Sequence, residues 1–199
     1  MADTETTLAP AAPEQELPNI LVNMARATLD DLPTYPLPDG YALRMYQPGD
    51  AQAWVDIHLE ADRWNHVTLE TFWKEFGVDA VPLAARQFYL CNAEGTPIGT
   101  ATGWFNDDYY GAAWGRIHWV ALRPQYHGQG LSKPLLAAAC WRMRELGHDK
   151  AYLVTSTPRI PAINLYRSFG FEPEIRSAED EAAWSLVRPY FKECIQNQL

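Results

Sequence analysis

Six residues near the middle of the chain, His127-Gly128-Gln129-Gly130-Leu131-Ser132, carry the most legible chemistry. Two glycines let a backbone turn tightly and approach a ligand closely. A strand-like run, Gly115 to Leu122, comes before them and a helix-like run, Lys133 to Leu146, comes after. The start of a helix offers N–H groups with no intrahelical partner and a partial positive charge. Strand, glycine turn and helix start therefore make an anion cradle, most often for phosphate. For an isolated glycine pair the plain alternative is a loop that only needs positive φ. Lys133 is either a cation for the bound anion or an exposed helix residue. His118, within the strand-like run, has an unperturbed pKa of about 6.5 that suits proton transfer at neutral pH. Its plain alternative is a hydrogen-bonded structural histidine beneath a sheet.

These residues need a scaffold, and the pattern of the chain supplies one. Tyr41 to Tyr46 reads as a strand, and Pro48-Gly49-Asp50 turns into a helix over about Ala51 to Asp62, with Asp50 as its N-cap. Thr68 caps a second helix that runs to Phe76 and stops at Gly77. Gln87 to Cys91 and Pro97 to Phe105 are strands joined by the turn Asn92 to Gly95. Asn106 to Gly111 is a polar turn into a long strand, Ala112 to Leu122. Strand alternation puts Arg116, His118 and Val120 on one face unless a bulge intervenes. After the central helix, Gly147 is the stop, Ala151 to Thr155 a strand, and Pro161 to Phe169 a helix. The order gives an α/β fold with antiparallel hairpins first and a strand–helix–strand unit later.

The segment Ile117 to Ser132, with Pro124 before the glycine turn, and the later Leu165-Tyr166-Arg167-Ser168-Phe169-Gly170-Phe171 together resemble the GCN5-related N-acetyltransferase (GNAT) superfamily over roughly Tyr41 to Ile175. The family has an apolar strand, a Pro, an (Arg/Gln)-x-x-Gly-x-(Gly/Ala) loop, and a later helix ending Leu-Tyr-x-x-x-Gly-Phe. Here His127 stands at the Arg/Gln position and Ser132 at the final Gly/Ala position, which leaves the side-chain contacts of the loop open. The resemblance implies a mixed, mostly antiparallel sheet flanked by helices, with acetyl-CoA as cosubstrate. It implies that His127, Gly128, Gln129, Gly130, Leu131, Ser132 and Lys133 hold the pyrophosphate. Main-chain N–H groups of Val120, Ala121 and Leu122 would meet the thioester, and Arg159 is a candidate for a phosphate or carbonyl. Tyr166 takes the family's proton-donor position, and Arg159, Ala162 or Ile163, and Tyr166 share a helical face. Asn164, about 200° from Tyr166 around the helix, points elsewhere. His118 aligns with one of two histidines of aralkylamine N-acetyltransferases, and the other falls at Arg116. Glu60 is a second candidate base, or else an exposed helix residue. The implied reaction is acetyl transfer to a primary amine of a small molecule or peptide by direct attack in a ternary complex. The alternative is a noncatalytic acyl-CoA-binding sensor or regulatory module.

The family usually ends in two strands after Gly-Phe. Here Phe171 to Ile175 serves as one, and Ser177 followed by Glu179, Asp180 and Glu181 reads as a helix start, so a helical C-terminus is expected. Residues 1–18, rich in Ala, Pro, Glu and Thr, read as a flexible leader, and 19–40 as an extended connector with an extra strand at Asn19 to Met24. The acetyltransferase-like domain spans 41–199.

The chain has 199 residues and a net charge of −9, which opposes nonspecific binding to nucleic acid or anionic membrane. No apolar stretch is long enough to span a membrane, and the start lacks the pattern of a signal peptide. Cys91, Cys140 and Cys194 are odd in number and widely spaced, which argues for reduced thiols and a cytoplasmic setting. The five histidines match no zinc spacing, so no metal is expected. Trp64, Trp104, Trp114 and Trp119 are candidate walls of an acceptor site, with Asp107, Asp108, Tyr109 and Tyr110 at its rim, or else core residues and an ordinary turn. A homodimer is left open.

Overall fold

The computed structural model describes residues 17–193. Of the expected leader only residues 17 and 18 are described, and Cys194 lies outside the described residues. In chain order the strands are β1 (Leu21–Arg26), β2 (Ala42–Met45), β3 (Gln87–Cys91), β4 (Pro97–Asn106), β5 (Trp114–Leu122), β6 (Ala151–Ser156) and β7 (Glu172–Pro173). The helices are α1 (Asp50–Ala61), α2 (Leu69–Phe76), α3 (Ala80–Arg86), α4 (Ser132–Glu145), α5 (Ile160–Arg167) and α6 (Ala178–Val187). The chain divides into two compact units: Ala27–Tyr152, and Met1–Arg26 with Leu153–Leu199. No helix among the described residues is long and apolar enough to cross a membrane.

In the larger unit β2, β3, β4 and β5 pair in that order, all antiparallel. Helix α4 packs on one face of this sheet. A Cβ on Gly103 of β4 would come within 2.6 Å of the Ala139 carbonyl oxygen of α4, so glycine lets helix and strand close up there. Alternation then sends Thr102 and Trp104 to the opposite face. That face buries Trp54 and Ile57 of α1, Phe72 and Phe76 of α2, and Tyr89 of β3 in one cluster. The rings of Phe76 and Trp104 meet edge to face at 5.4 Å.

Helix α2 starts and stops where its ends dictate. Thr68 accepts from the Thr71 N–H, Thr71 returns a bond to the Thr68 N–H, and Gly77 ends the helix with φ +75°. Helix α1 differs from expectation. Its N-cap is Gly49, with φ +103°, and Asp50 is its first residue. The Asp50 carboxylate accepts from the Gln47 N–H at 2.6 Å and takes the Arg44 guanidinium through both oxygens, at 2.6 and 2.8 Å. It therefore ties β2 to α1 instead of capping the helix. Helix α3 was not foreseen; Asp79 caps it through the Val81 N–H.

In the smaller unit β1 pairs antiparallel with β7, Met24 opposite Pro173. Gly170 leaves α5 with φ +74°, and a Cβ there would sit 2.7 Å from Arg26 Nη1, which donates to the Phe169 carbonyl. Strand β7 is only two residues long, and α6 follows at once, capped by Ser177 and Asp180 in a reciprocal box. The expected helical C-terminus is present.

Candidate functional site

The turn after β5 is built mainly from backbone. Pro124–Tyr126 forms one 3-10 turn, and Gly128 and Gly130 both adopt φ +77°. A Cβ at either glycine would meet no atom within 4 Å, so the turn presents open main chain. Its longer side chains are exposed but bond back to the chain. His127 Nε2 donates to the Leu122 carbonyl at 2.9 Å, which fixes the proton on that nitrogen. Gln129 donates to the Gln125 carbonyl at 3.1 Å and accepts from the Tyr41 hydroxyl at 2.6 Å. Helix α4 follows with no side-chain cap at Leu131. Ser132 is its first residue, and the Lys133 ammonium lies 4.9 Å from the centre of the Tyr35 ring. Glycine φ values, open space and an uncapped helix start are what a pyrophosphate requires. The departure at His127 is accounted for, because that side chain braces the turn against β5.

The second feature lies upstream on β5. Thr102 pairs with His118, but Thr100 pairs with Ala121, so β5 carries one residue more than β4 over this stretch. The bulge centres on Trp119, whose φ of +51° is a strained value for a bulky residue. It breaks the alternation expected for Arg116, His118 and Val120. After it Ala121, rather than Val120, joins the aromatic cluster with Trp54 and Phe72. The bulge also lets two consecutive side chains reach one partner. His118 Nε2 and Trp119 Nε1 both lie on Glu75 Oε2, at 2.9 and 3.1 Å. Phe76 packs on the His118 ring at 5.4 Å, and Trp54 packs on Trp119 at 5.0 Å.

Charge follows from this geometry. Glu75 is pushed down to about 2, first by the bond from His118 and then by that from Trp119. Burial pushes His118 below its ordinary value, Glu75 opposes that shift, and Arg116 adds to it. The direction that fits both groups is a neutral imidazole beside an ionised carboxylate. An ionised carboxylate only accepts, so the proton sits on Nε2 and Nδ1 keeps its lone pair. Arg116 Nε is buried with no hydrogen-bond partner. Across the strand, Thr102 accepts from Gln87, which in turn accepts from Tyr89, in a buried polar chain.

Sequence reasoning missed Glu75. Glu60, its second candidate base, pairs instead with Arg123 just past the end of β5. The four tryptophans separate. Trp104 and Trp119 join the cluster around Phe76, Trp114 packs against Tyr109 and under Lys150, and Trp64 lies under Arg63. Tyr166 and Arg159 belong to the smaller unit. Tyr166 is buried on α5 with its ring edge to face with Phe171 at 6.4 Å, and Arg159 is the N-cap of α5. Asn164 points elsewhere, as expected: it holds Tyr190 and Lys192 through their main chain. Among the described residues no three His, Cys, Asp or Glu side chains group as a metal site.

Comparison with known proteins places this geometry. A model of the acetyltransferase (GNAT) family matches residues 51–171. Mycothiol acetyltransferase from Saccharomonospora viridis is 30% identical over 166 residues, 77% of this chain and 53% of that protein. The protein of the same name from Thermobispora bispora is 29% identical, over 76% of this chain and 53% of its own length. The chain thus spans about half the length of these relatives. Among solved structures, a GCN5-related N-acetyltransferase from Sphaerobacter thermophilus superposes with a TM-score of 0.65 at 23% identity, over 78% of this chain and 49% of that one. The ribosomal-protein-S18-alanine N-acetyltransferase from Escherichia coli does so with 0.56 at 21% identity, over 68% and 79%. The family match covers most of the chain and includes the glycine turn, the bulged strand and the Tyr166 helix, so this protein belongs to the acetyltransferase (GNAT) family.

Proposed function

We propose that this protein transfers an acetyl group from acetyl-CoA to a primary amine, with His118 as the base and Tyr166 as the acid. The observation that carries the reading is the buried His118, bonded to Glu75, on the bulged strand that leads into the glycine turn. A sensor of acyl-CoA needs the turn but has no use for a proton acceptor held in that state.

The chemistry has three demands. A lysine-like amine, with a pKa of about 10.4, is protonated at neutral pH and must lose its proton to attack. Nδ1 of His118 takes that proton, and the freed amine nitrogen then bonds to the acetyl carbon. Main-chain N–H groups of Val120, Ala121 and Leu122 then bond the carbonyl oxygen as it gains charge. The carbon–sulfur bond breaks, and Tyr166 gives its proton to the departing thiolate. The bonded nitrogen gives its second proton to the tyrosinate and His118 returns the first to solvent, which leaves an N-acetyl amine and free CoA thiol. The backbone of Gly128 to Gly130, with the start of α4, holds the pyrophosphate, aided by Ser132, Lys133 and Arg159.

The relatives named above carry unlike names, mycothiol acetyltransferase in one case and ribosomal-protein-S18-alanine N-acetyltransferase in the other. The acceptor is therefore left at the level of a primary amine on a small molecule or peptide. A panel of such amines with acetyl-CoA, read by release of free thiol, tests the reading. Turnover with at least one amine is expected. Tyr166→Phe should then lower kcat by roughly 10²-fold, a typical general-acid effect, with little change in acetyl-CoA affinity. Tight coenzyme binding without turnover on any amine would move the reading to the noncatalytic module.

A further inference from the structure

The Glu75 carboxylate touches both the strained Trp119 of β5 and its neighbour His118. Its Oε2 takes the ring N–H of His118 at 2.9 Å and the indole N–H of Trp119 at 3.1 Å. It arrives from α2, between Phe72 and Phe76, both buried. Those two aromatic residues lock the helix against Trp54, so the carboxylate is delivered on a rigid element. We infer that Glu75 is a positioning residue: one carboxylate fixes the His118 tautomer that presents Nδ1 to the acceptor amine and pins the Trp119 bulge that aims the main chain of Val120 to Leu122.

The two halves of this role have separate physical grounds. A neutral imidazole carries its proton on either nitrogen, and the hydrogen bond made by one nitrogen decides which. Only an acceptor at Nε2 leaves the lone pair on Nδ1. Trp119, at φ +51°, sits in a conformation that persists only where its surroundings over-determine it. The indole bond to Glu75 and the packing on Trp54 are two such constraints. Were Glu75 a passive partner of a buried histidine, the same oxygen would have no reason to bind the next residue as well.

The inference rests on the reading of His118 as the base, and its test separates the two. The charged groups that act on His118 are Glu75 from α2 and Arg116 from β5 itself. Strand β4 presents Thr102 opposite it, which does not titrate, and α1 presents His58 beyond the Trp119 ring. Glu75→Gln keeps an acceptor oxygen for both N–H groups and removes the charge. Burial and Arg116 then act unopposed, so the acidic limb of the kcat/KM profile should move to lower pH. Glu75→Ala removes both bonds and should lower kcat by roughly 10²-fold. Trp119→Phe removes the indole N–H together with part of the ring and leaves the Glu75–His118 bond in place. It should lower kcat while leaving the limb in place, and KM for acetyl-CoA should rise. His118→Gln is the control, and it should abolish the limb. If His118→Gln leaves limb and rate intact, the base reading fails and this inference falls with it. If His118→Gln abolishes the limb but neither Glu75 variant moves it, the base stands and the positioning role is overturned. Nitrogen-15 NMR of the parent protein serves where a variant fails to fold. A His118 resonance with the proton on Nε2 is expected at neutral pH, and a proton on Nδ1 overturns the inference.

Discussion

The turn at residues 127–132 and the cluster of Glu75, His118 and Trp119 lie on the same strand-to-helix path, yet they are built on opposite principles. The turn offers main chain. Its two glycines hold φ +77°, and its longer side chains, His127 and Gln129, bond back to Leu122, Gln125 and Tyr41. The cluster offers side chains. Its backbone is strained, and its working atoms come from residues 43 and 44 positions apart in the chain. A main-chain site is indifferent to most side chains and intolerant of any new Cβ at its glycines. A side-chain site is the reverse, and it alone depends on pH.

The largest effect that can break this contrast is at Gly130. Gly130→Asp adds a Cβ at φ +77° and a negative charge where the coenzyme pyrophosphate is expected. Acetyl-CoA binding measured by calorimetry should be lost. Gln129→Ala, next to it, should change affinity far less, because it removes bonds to Gln125 and Tyr41 but keeps the main chain of the turn and adds no charge. Equal affinity of Gly130→Asp and parent would remove this turn as the pyrophosphate site.

A smaller effect sharpens the other side of the contrast. Glu75 sits at about 2 in the folded protein against an ordinary 4.5. The unfolded chain therefore takes up this proton first as pH falls, and the stability Glu75 supplies above about pH 4.5 is lost toward pH 2. His118 acts with the same sign at higher pH. Burial holds it below 6.5, so the unfolded chain protonates first below that value. Calorimetric Tm measured from pH 7 to pH 3 should fall steeply for the parent. Glu75→Gln should flatten the part below about pH 4.5, whereas Gln129→Ala should follow the parent. Identical slopes for all three proteins would mean that the Glu75–His118 bond contributes nothing to the fold.

The same contrast explains what could be read in the sequence. The glycine turn, the Thr68 and Ser177 caps, the Gly77 stop and the helical C-terminus are local signals, with donor and acceptor a few residues apart. Asp50 was misjudged by one position because its carboxylate is claimed by Arg44 of β2, a tertiary partner. The bulge at Trp119 left no mark in an apolar run. Glu75 was missed for the same reason: its partners are fixed only when α2 meets β5. One signal was available. Phe72, Glu75 and Phe76 fall at i, i+3 and i+4 and share a helix face, so an acid stood on the edge of a buried aromatic stripe. Such an acid needs a donor, and His118 was the candidate proton carrier on the nearest strand.

The smallest effect asks whether the cluster leans on the start of its helix or on the packing beneath it. Thr68 closes a reciprocal box with Thr71 two turns before Glu75. Thr68→Ala should cost about 1 kcal/mol, the usual worth of a cap. In a protein of this size that is roughly 2–4 °C in Tm. Ser177→Ala, which opens the matching box on α6 in the other unit, should cost about the same. Phe72 and Phe76 remain buried against Trp54 in the Thr68 variant, so the last turn of α2 should hold its place. Its kcat and the acidic limb of its pH profile should therefore match the parent despite the lower Tm. If Thr68→Ala moves the limb as far as Glu75→Gln does, the helix is held by its cap rather than by its aromatic face, and the carboxylate is less rigidly delivered than the packing implies.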